Sequence, residues 1–170
     1  MSSVMFGTAD TGSVMGLVSQ GLGVKIVAGY LRQSPMALIF PKKNNWTSYA
    51  DVGKAKARIG FAPGGASAQL LPAVLKATGI EQQVRLINME PAAKPTSLLE
   101  GKVDAIESFD FLQVPLLEAN GMPSDTLPYA KAGVNVPGLS LITSVEMNER
   151  NPALERKMVG LMQRPLEASR

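Results

Sequence analysis

Short runs of apolar residues alternate along the chain with segments whose apolar residues recur at helical spacing. The short runs predict strands at Val4–Phe6, Val24–Tyr30, Met36–Phe40, Arg58–Ala62, Val84–Asn88, Asp104–Phe109 and Leu139–Thr143. The helical spacing predicts helices at Gly12–Gln20, Ser67–Thr78, Ala93–Glu100, Leu112–Asn120 and Pro152–Met162. Strands that alternate with helices of this length are typical of parallel βαβ units, so the pattern predicts the α/β class.

Residues that commonly begin and end helices stand at several predicted boundaries. Ser67 is a predicted N-cap, and Gly79 is a predicted stop because glycine readily adopts a positive φ. Asn151 is a second predicted N-cap, with Pro152 at the first helical position. The helix after Ser67 carries an apolar stripe of Leu70, Leu71, Val74 and Leu75.

One connection departs from the alternation of strands and helices. The predicted strands Val24–Tyr30 and Met36–Phe40 are separated only by a short segment around Arg32–Pro35, with no helix between them. Such an extended chain can cross from one lobe to another, and "PGLSLITS" from Pro137 can cross back. We therefore expect an inserted lobe at residues 41–130 and a second lobe built from residues 1–40 and 131–170.

The composition excludes much of the usual catalytic chemistry. The 170 residues include no histidine and no cysteine, which excludes Ser-His-Asp and Cys-His nucleophiles, histidine-ligated metals, iron–sulfur clusters and disulfides. The net charge of +3 is small, its basic residues are scattered, and aromatic residues are only 5% of the chain. The sequence thus predicts no nucleic-acid-binding patch, no resident cofactor or metal, and no enzymatic activity.

Polar turns follow several of the predicted strands. In open α/β sheets, ligands bind beyond the carboxyl ends of strands, where turns lead into helices. The candidate turns are "TADTGS", "RQSP", "APGGAS" and "ESFDF". "APGGAS" lacks the Gly-Lys-Ser/Thr of a phosphate-binding loop, but main-chain N–H groups and a serine there suit a carboxylate, sulfonate or carbonyl oxygen. That this turn only needs a positive φ and binds nothing is an open alternative.

Three carboxylates in these turns could suggest acid–base chemistry or a cation site. They are Asp10, Glu107 and Asp110, but the sequence does not fix the distances between them. Asp10 is also a candidate helix N-cap. We therefore assign no catalytic or metal-ligating residue.

Five stretches together resemble a family. "FGTADTGS", "QSPMALIF", "IGFAPGGASAQLLPAVLKATGI", "MEPAAKPTSLLEGKVDAIESF" and "NPALERKMVGLM" occur in the order seen in solute-binding proteins of ABC importers. The chain is similar to the nitrate/sulfonate/taurine and thiamine-pyrimidine-precursor subgroup of these proteins. The resemblance implies a periplasmic-binding-protein-like fold of type II, with two α/β lobes and two crossing strands that close on a small solute by hinge motion.

The resemblance also implies which residues face the ligand. These are Asp10, Thr11, Gln33, Ser34, Gly64, Gly65, Ser67, Glu107, Ser108 and Phe109. Relatives often carry small or neutral residues where this chain has Glu107 and Asp110. Acidic groups there favour an amine, an aminopyrimidine or a hydroxylated solute over a bare anion.

Relatives also carry segments before and after the stretches quoted above. We therefore expect a chain truncated at both ends, with one lobe incomplete and able to self-associate through its uncovered faces. The resemblance implies a periplasmic or membrane-anchored extracytoplasmic location and a membrane permease as partner, although this chain begins without a signal peptide.

Two alternatives share this architecture. Thiamine-pyrimidine-synthase-like enzymes resemble the same lobes, but they depend on histidine and a cysteine-rich motif, which this chain lacks. A ligand-sensing effector domain of a transcription regulator would need a helix-turn-helix segment ahead of Met1. The preferred interpretation is the substrate-binding component of an ABC transporter for a small organic solute such as a sulfonate, taurine or an aminopyrimidine.

Overall fold

The computed structural model describes residues 5–63 and 66–168, and the side chains of residues 5–63 and 70–162. The strands in this part of the chain are β1 (Phe6–Asp10), β2 (Val24–Gly29), β3 (Met36–Pro41), β4 (Arg58–Phe61), β5 (Arg85–Asn88), β6 (Ala105–Phe109), β7 (Ser124–Pro128) and β8 (Leu139–Ser144). The helices are α1 (Thr11–Ser19), α2 (Tyr49–Lys54), α3 (Ala66–Ala77), α4 (Lys94–Leu99), α5 (Asp110–Ala119), α6 (Val145–Arg150) and α7 (Pro152–Ala168). Among the described residues, none of these helices is long and apolar enough to cross a membrane.

The chain divides into two compact units. The first unit contains residues 1–33 and 136–170, and the second contains residues 34–135. The lobe boundaries expected from sequence place residues 34–40 in the first lobe. In the structure β3 pairs along both of its edges with strands of the second unit, so the main-chain N–H and C=O groups of this buried strand find partners there.

The second unit is built on a mixed sheet. Its described strands follow the order β5-β4-β6-β3-β7. β4 runs parallel to β5 and β6, whereas β3 runs antiparallel to β6 and β7. The expected parallel pairing is therefore present on one side of β6 only. β3 enters the sheet without a preceding crossover helix, and such a connection permits the antiparallel direction.

The core of the second unit follows from two apolar patterns. Every residue of β3 is buried, and one face of the strand packs in a cluster of Ala37, Ile39, Leu98, Val103, Ile106 and Leu117. The predicted stripe of α3 is buried as well, at Leu70, Leu71, Val74 and Leu75. β3 and α3 therefore form much of the core against which β4 and β6 lie.

The first unit is built on an antiparallel sheet in which β8 lies between β1 and β2 among the described strands. Phe6 pairs with Thr143 and Asp10 with Leu139, while β2 pairs with the other edge of β8 through a bulge between Ile26 and Ala28. β1 thus extends past its predicted end at Phe6 to Asp10, where α1 follows directly, while the predicted start at Val4 lies outside the described residues.

Two predicted helix-terminal residues are confirmed, whereas the predicted cap Ser67 is wrong, and so is the end of the last helix, which continues past Met162 to Ala168. Gly79 has a φ of +69°, and the side chain of Asn151 accepts a hydrogen bond from the Leu154 N–H at 3.1 Å. Ser67 is not the N-cap of α3, because the helix already begins at Ala66. The pattern also misses β7, α2 and α6, which are short elements with weak periodicity.

Candidate functional site

The carboxyl ends of two parallel strands meet at one edge of the second unit. β4 and β6 are neighbours in parallel register, with Ile59 beside Ala105 and Gly60 beside Ile106. α3 begins five residues after Phe61, and α5 begins directly after Phe109. Because parallel strands end at the same edge, the N-termini of both helices lie there, and helix N-termini attract anions and hydrogen-bond acceptors.

Glu107 lies in β6 near this edge, and its carboxylate is buried rather than open to solvent. The residue is 1% exposed and lies opposite Leu38 of β3 in the sheet register. Its Oε1 accepts a hydrogen bond from the Ala62 N–H at 3.0 Å and one from Lys94 Nζ at 2.9 Å. Lys94 Nζ also donates to the main-chain oxygen of Glu107 at 2.8 Å.

This ion pair changes the electrostatic expectation for the site. Lys94 is one of the scattered basic residues of the sequence, but it is only 6% exposed. A buried carboxylate is costly unless it is paired, and Lys94 provides the opposite charge at hydrogen-bonding distance. The expectation that Glu107 disfavours an anionic solute therefore loses its basis, because the carboxylate is neutralised by its own partner.

Two buried tyrosines belong to the same unit. Tyr49 donates its hydroxyl to the Leu127 carbonyl oxygen at 2.9 Å, and burial raises the pKa of this phenol. The Tyr129 hydroxyl is buried without a hydrogen-bond partner in the described structure. Burial, followed by the negative charge of Glu107, raises the pKa of Tyr129 well above its usual value. Both phenols are therefore neutral at physiological pH.

The end of β6 carries aromatic and polar groups that are less buried. Ser108 and Phe109 are half-buried, and the rings of Phe109 and Phe111 stack with centroids 5.7 Å apart and planes inclined by 8°. Asp110 is the first residue of α5, and its Oδ1 accepts from the Phe111 N–H at 2.6 Å. Ser108 and Phe109 thus lie at the edge where α3 and α5 begin.

In the first unit, Asp10 and Thr11 join β1 to α1. Asp10 is the N-cap of α1, as its position in the sequence allows, and its Oδ1 accepts from the Ser13 N–H at 2.9 Å. The other carboxylate oxygen, Oδ2, is buried and has no hydrogen-bond partner in the described structure. The Thr11 hydroxyl bonds to the Gly138 carbonyl oxygen and lies 2.6 Å from the Ser140 hydroxyl.

Of the remaining expected ligand-facing residues, two lie near the unit boundary. Gln33 is exposed at the end of the first unit. Ser34 is buried at the start of the second unit, and its hydroxyl accepts from the Met36 N–H at 3.3 Å. Gly64 and Gly65 of the "APGGAS" turn lie outside the described residues, as does the side chain of Ser67.

The carboxylates considered for acid–base or cation chemistry have other roles. Asp10 caps α1, Glu107 pairs with Lys94, and Asp110 bonds to the next amide of α5. Within the described ranges, acidic side chains form no group of three that could hold a metal ion. Lys94 is the site residue that the sequence does not reveal, since no local pattern marks a lysine for pairing with a carboxylate in another strand.

Comparisons with known proteins agree with this architecture. A family model described as NMT1/THI5 like matches residues 2–169. No curated protein sequence matches the chain. The aliphatic sulphonate binding protein SsuA of Escherichia coli superposes with a TM-score of 0.74 at 18% identity, covering 94% of this chain and 54% of that one.

Two further solved structures show the same fold. The alkanesulfonate-binding protein SsuA of Xanthomonas axonopodis pv. citri, bound to MOPS, has a TM-score of 0.68 at 21% identity over 98% of this chain and 59% of that one. The glycine/betaine/L-proline-binding protein ProX of Borrelia burgdorferi has a TM-score of 0.65 at 11% identity over 86% of this chain and 58% of that one.

The chain thus spans between 54% and 59% of the length of these three proteins. The fold expectation is confirmed, since periplasmic binding proteins share its arrangement of elements. Because the family model covers nearly the whole sequence, the chain belongs to the NMT1/THI5-like family and has the α/β fold of periplasmic binding proteins.

Proposed function

We propose that this chain is the substrate-binding component of an ABC importer and captures a small organic solute. Membership of the NMT1/THI5-like family supports the proposal, as does the fold shared with sulfonate-binding and betaine-binding proteins. The observation that carries it is the edge of the second unit where α3 and α5 both begin. Main-chain N–H groups at that edge can bind an oxygen-rich solute group without an ionisable side chain.

The proposed solute is a sulfonate or a related compound such as taurine. Lys94 neutralises Glu107, so the positive ends of α3 and α5 are not opposed by a free buried carboxylate. This arrangement favours an anionic or strongly accepting group near Ser108 and Phe109. A solute with an aromatic or aliphatic body could contact the Phe109 ring, which is half-buried.

An aminopyrimidine or other solute with donor groups is the alternative within the same function. The unpartnered Oδ2 of Asp10 supports it, because a buried carboxylate oxygen without a partner can accept a hydrogen bond from an amine or hydroxyl. We retain as proposed ligand-binding residues Asp10, Thr11, Gln33, Ser34, Gly64, Gly65, Ser67, Glu107, Ser108 and Phe109. For Glu107 the proposed role is indirect, because its carboxylate is already bonded within the unit.

The proposed partner is an ABC permease in the membrane, and the proposed location is periplasmic or membrane-anchored outside the cytoplasm. The similar solved structures include proteins described as periplasmic, which supports the location. We propose no enzymatic activity, and self-association of the first unit is a further expectation of the proposal. The synthase-like and regulator-domain alternatives are not favoured by any feature of the described residues.

A thermal-shift screen tests the function. The panel contains taurine, alkanesulfonates, nitrate, aminopyrimidines and glycine betaine. A solute at 100 times its dissociation constant should stabilise the protein by about 2.7 kcal/mol, which is a clear shift for a domain of this size. A cooperative melt that none of the panel shifts would contradict the proposed solute classes.

Asp10→Asn separates the two solute classes. Asparagine can still accept from the Ser13 N–H and cap α1, but it places a donor where an amine-bearing solute needs an acceptor. The matched control is Asp125→Asn, since Asp125 also accepts from a nearby main-chain N–H but is exposed. If donor-bearing solutes no longer raise the melting temperature of Asp10→Asn but still raise that of Asp125→Asn, direct contact with Asp10 is supported.

A further inference from the structure

The buried ion pair of the second unit does more than neutralise charge. Glu107 Oε1 receives two hydrogen bonds, one from Lys94 Nζ and one from the Ala62 N–H. Lys94 Nζ also donates to the main-chain oxygen of Glu107. A single ammonium group therefore bonds to both the main chain and the side chain of Glu107. The carboxylate is thereby fixed in one orientation, with Oε1 directed at Ala62.

Ala62 occupies a special position in the chain. It follows the last residue of β4, Phe61, and precedes Pro63, which has no N–H. The register between β4 and β6 extends to the pair Gly60 and Ile106. Beyond this pair the Glu107 side chain, not a strand backbone, accepts the Ala62 N–H.

The orientation of Glu107 depends on Lys94 for a physical reason. Glu107 is 1% exposed, and a buried carboxylate without an opposite charge is costly. A rotated Glu107 side chain would no longer place Oε1 within hydrogen-bonding distance of the Ala62 N–H. The two hydrogen bonds from Lys94 Nζ, to Oε1 and to the main-chain oxygen of Glu107, hold the carboxylate in place.

We propose that Lys94 is a positioning residue that sets the start of the β4–α3 turn through Glu107 and thereby tunes solute affinity. Lys94 does not itself contact the solute in this proposal. Its effect on affinity rests on the proposed function, in which that turn contacts the solute. Its effect on the turn does not, because Lys94 Nζ and the Ala62 N–H both donate hydrogen bonds to Glu107 Oε1 within the protein.

The test measures amide hydrogen exchange by NMR in the wild type, Lys94→Met and Lys94→Arg. The internal reference is the Arg58 N–H, at the other end of β4, which donates to the Asp104 carboxylate at 2.8 Å. In Lys94→Met the Ala62 N–H should exchange about tenfold faster relative to Arg58, which is the factor that one lost hydrogen bond produces. Lys94→Arg should restore protection, since a guanidinium can also pair with the carboxylate.

The affinity of any solute found by the screen is measured on the same variants. Its dissociation constant should rise about tenfold in Lys94→Met and stay near the wild-type value in Lys94→Arg. If the wild type binds no solute of the panel, the proposed function fails while the exchange measurement still decides the positioning role. If exchange changes as expected but affinity does not, the role in solute binding is overturned.

Two results would overturn the positioning role. One is an equal increase in the exchange rates of the Ala62 and Arg58 N–H groups, and the other is an unchanged Ala62 exchange rate in a folded Lys94→Met. Should Lys94→Met fail to fold, the double variant Lys94→Met/Glu107→Gln replaces it. That variant leaves no unpaired buried charge, and glutamine retains an acceptor oxygen. Faster exchange at Ala62 relative to Arg58 is expected there too, because the ammonium that orients residue 107 is gone. Wild-type exchange in this variant would refute the proposal.

Discussion

Arg58 and Asp104 join the amino-terminal ends of the parallel strands β4 and β6. The Asp104 carboxylate accepts from the Arg58 main-chain N–H at 2.8 Å, from its Nε at 3.0 Å and from its Nη2 at 2.8 Å. At the carboxyl ends of the same strands, Glu107 Oε1 accepts from the Ala62 N–H. Two carboxylates therefore bond to the main chain at the two ends of β4. Asp104, just before β6, is partly exposed, and Glu107, within β6, is buried.

The first prediction concerns the pH dependence of stability at Asp104. Hydrogen bonds from Arg58 lower the pKa of this carboxyl below its usual value, although partial burial opposes the shift. A lowered folded-state pKa stabilises the protein fully above the unfolded-state pKa of about 3.9, and the contribution is lost as pH falls through the folded-state value. Asp104→Asn should cost about 1 kcal/mol at pH 7, the upper end for a partly exposed pair.

Urea unfolding of the wild type and Asp104→Asn at pH 7, 5 and 3 measures this contribution. The difference in unfolding free energy should be similar at pH 7 and 5 and smaller at pH 3. Glu100→Gln is the control, because it removes an exposed carboxylate that pairs with Lys102. A difference at Asp104 that is the same at all three pH values would contradict the prediction.

The second prediction concerns the energy of the buried ion pair. Lys94→Met leaves Glu107 as an unpaired buried carboxylate and should lower the free energy of unfolding by about 3–5 kcal/mol. The double variant Lys94→Met/Glu107→Gln should recover a large part of this loss. Denaturant unfolding of both variants at pH 7 provides the comparison. Equal losses in the single and double variants would show that packing of the lysine, rather than its charge, is what matters.

The third prediction compares two buried phenols. Tyr49→Phe removes the hydrogen bond to the Leu127 carbonyl and should cost about 1 kcal/mol. Tyr129→Phe removes a buried hydroxyl that has no partner in the described structure, so it should be neutral or stabilise by about 1 kcal/mol. Each variant is the control for the other, since both delete the same atom from a buried ring. Thermal melts that rank the two variants in the opposite order would contradict this.

The fourth prediction concerns a close approach in the first unit. A Cβ on Gly138 would lie 2.7 Å from the Leu31 Cβ and 2.8 Å from the Gln33 carbonyl oxygen. Gly138→Ala should therefore lower the free energy of unfolding by about 1–3 kcal/mol, because backbone atoms would have to move. It should also disturb the Thr11 hydroxyl, which bonds to the Gly138 carbonyl.

Gly160→Ala is the matched control for that substitution. Gly160 lies within α7, and a Cβ there meets nothing within 4 Å. Alanine should stabilise the helix by about 0.5–1 kcal/mol relative to glycine. The same chemical change is thus expected to have opposite signs at the two positions. A stabilised Gly138→Ala variant would show that the first unit can relax around the added methyl group.

The elements with strong local patterns are the ones that the sequence predicts well. β3 is an uninterrupted apolar run, and α3 has its buried residues on one stripe, so both appear close to their expected bounds. β7 has the sequence "SDTLP" and no apolar periodicity. It is a strand because it pairs antiparallel with β3, a contact that a local pattern cannot contain.

The same division applies to the candidate site. The capping role of Asp10 is predictable because its partner, the Ser13 N–H, is three residues away. The pairing of Lys94 with Glu107 joins an isolated lysine at a helix start to a carboxylate in a buried strand. The proline-flanked lysine in "AAKPT" carries no signal that it is buried.

The sequence by itself determined the α/β class, the family resemblance, and the exclusion of histidine and cysteine chemistry. These depend on composition, on motif order and on periodicity, all of which can be read along the chain without knowing which segments meet in space. The tertiary structure alone decided that β3 runs antiparallel in a mixed sheet and that the Glu107 charge is neutralised by Lys94. Strand direction and ion pairing depend on which distant segments share a core, because the free energy of a buried group is set by what surrounds it in space.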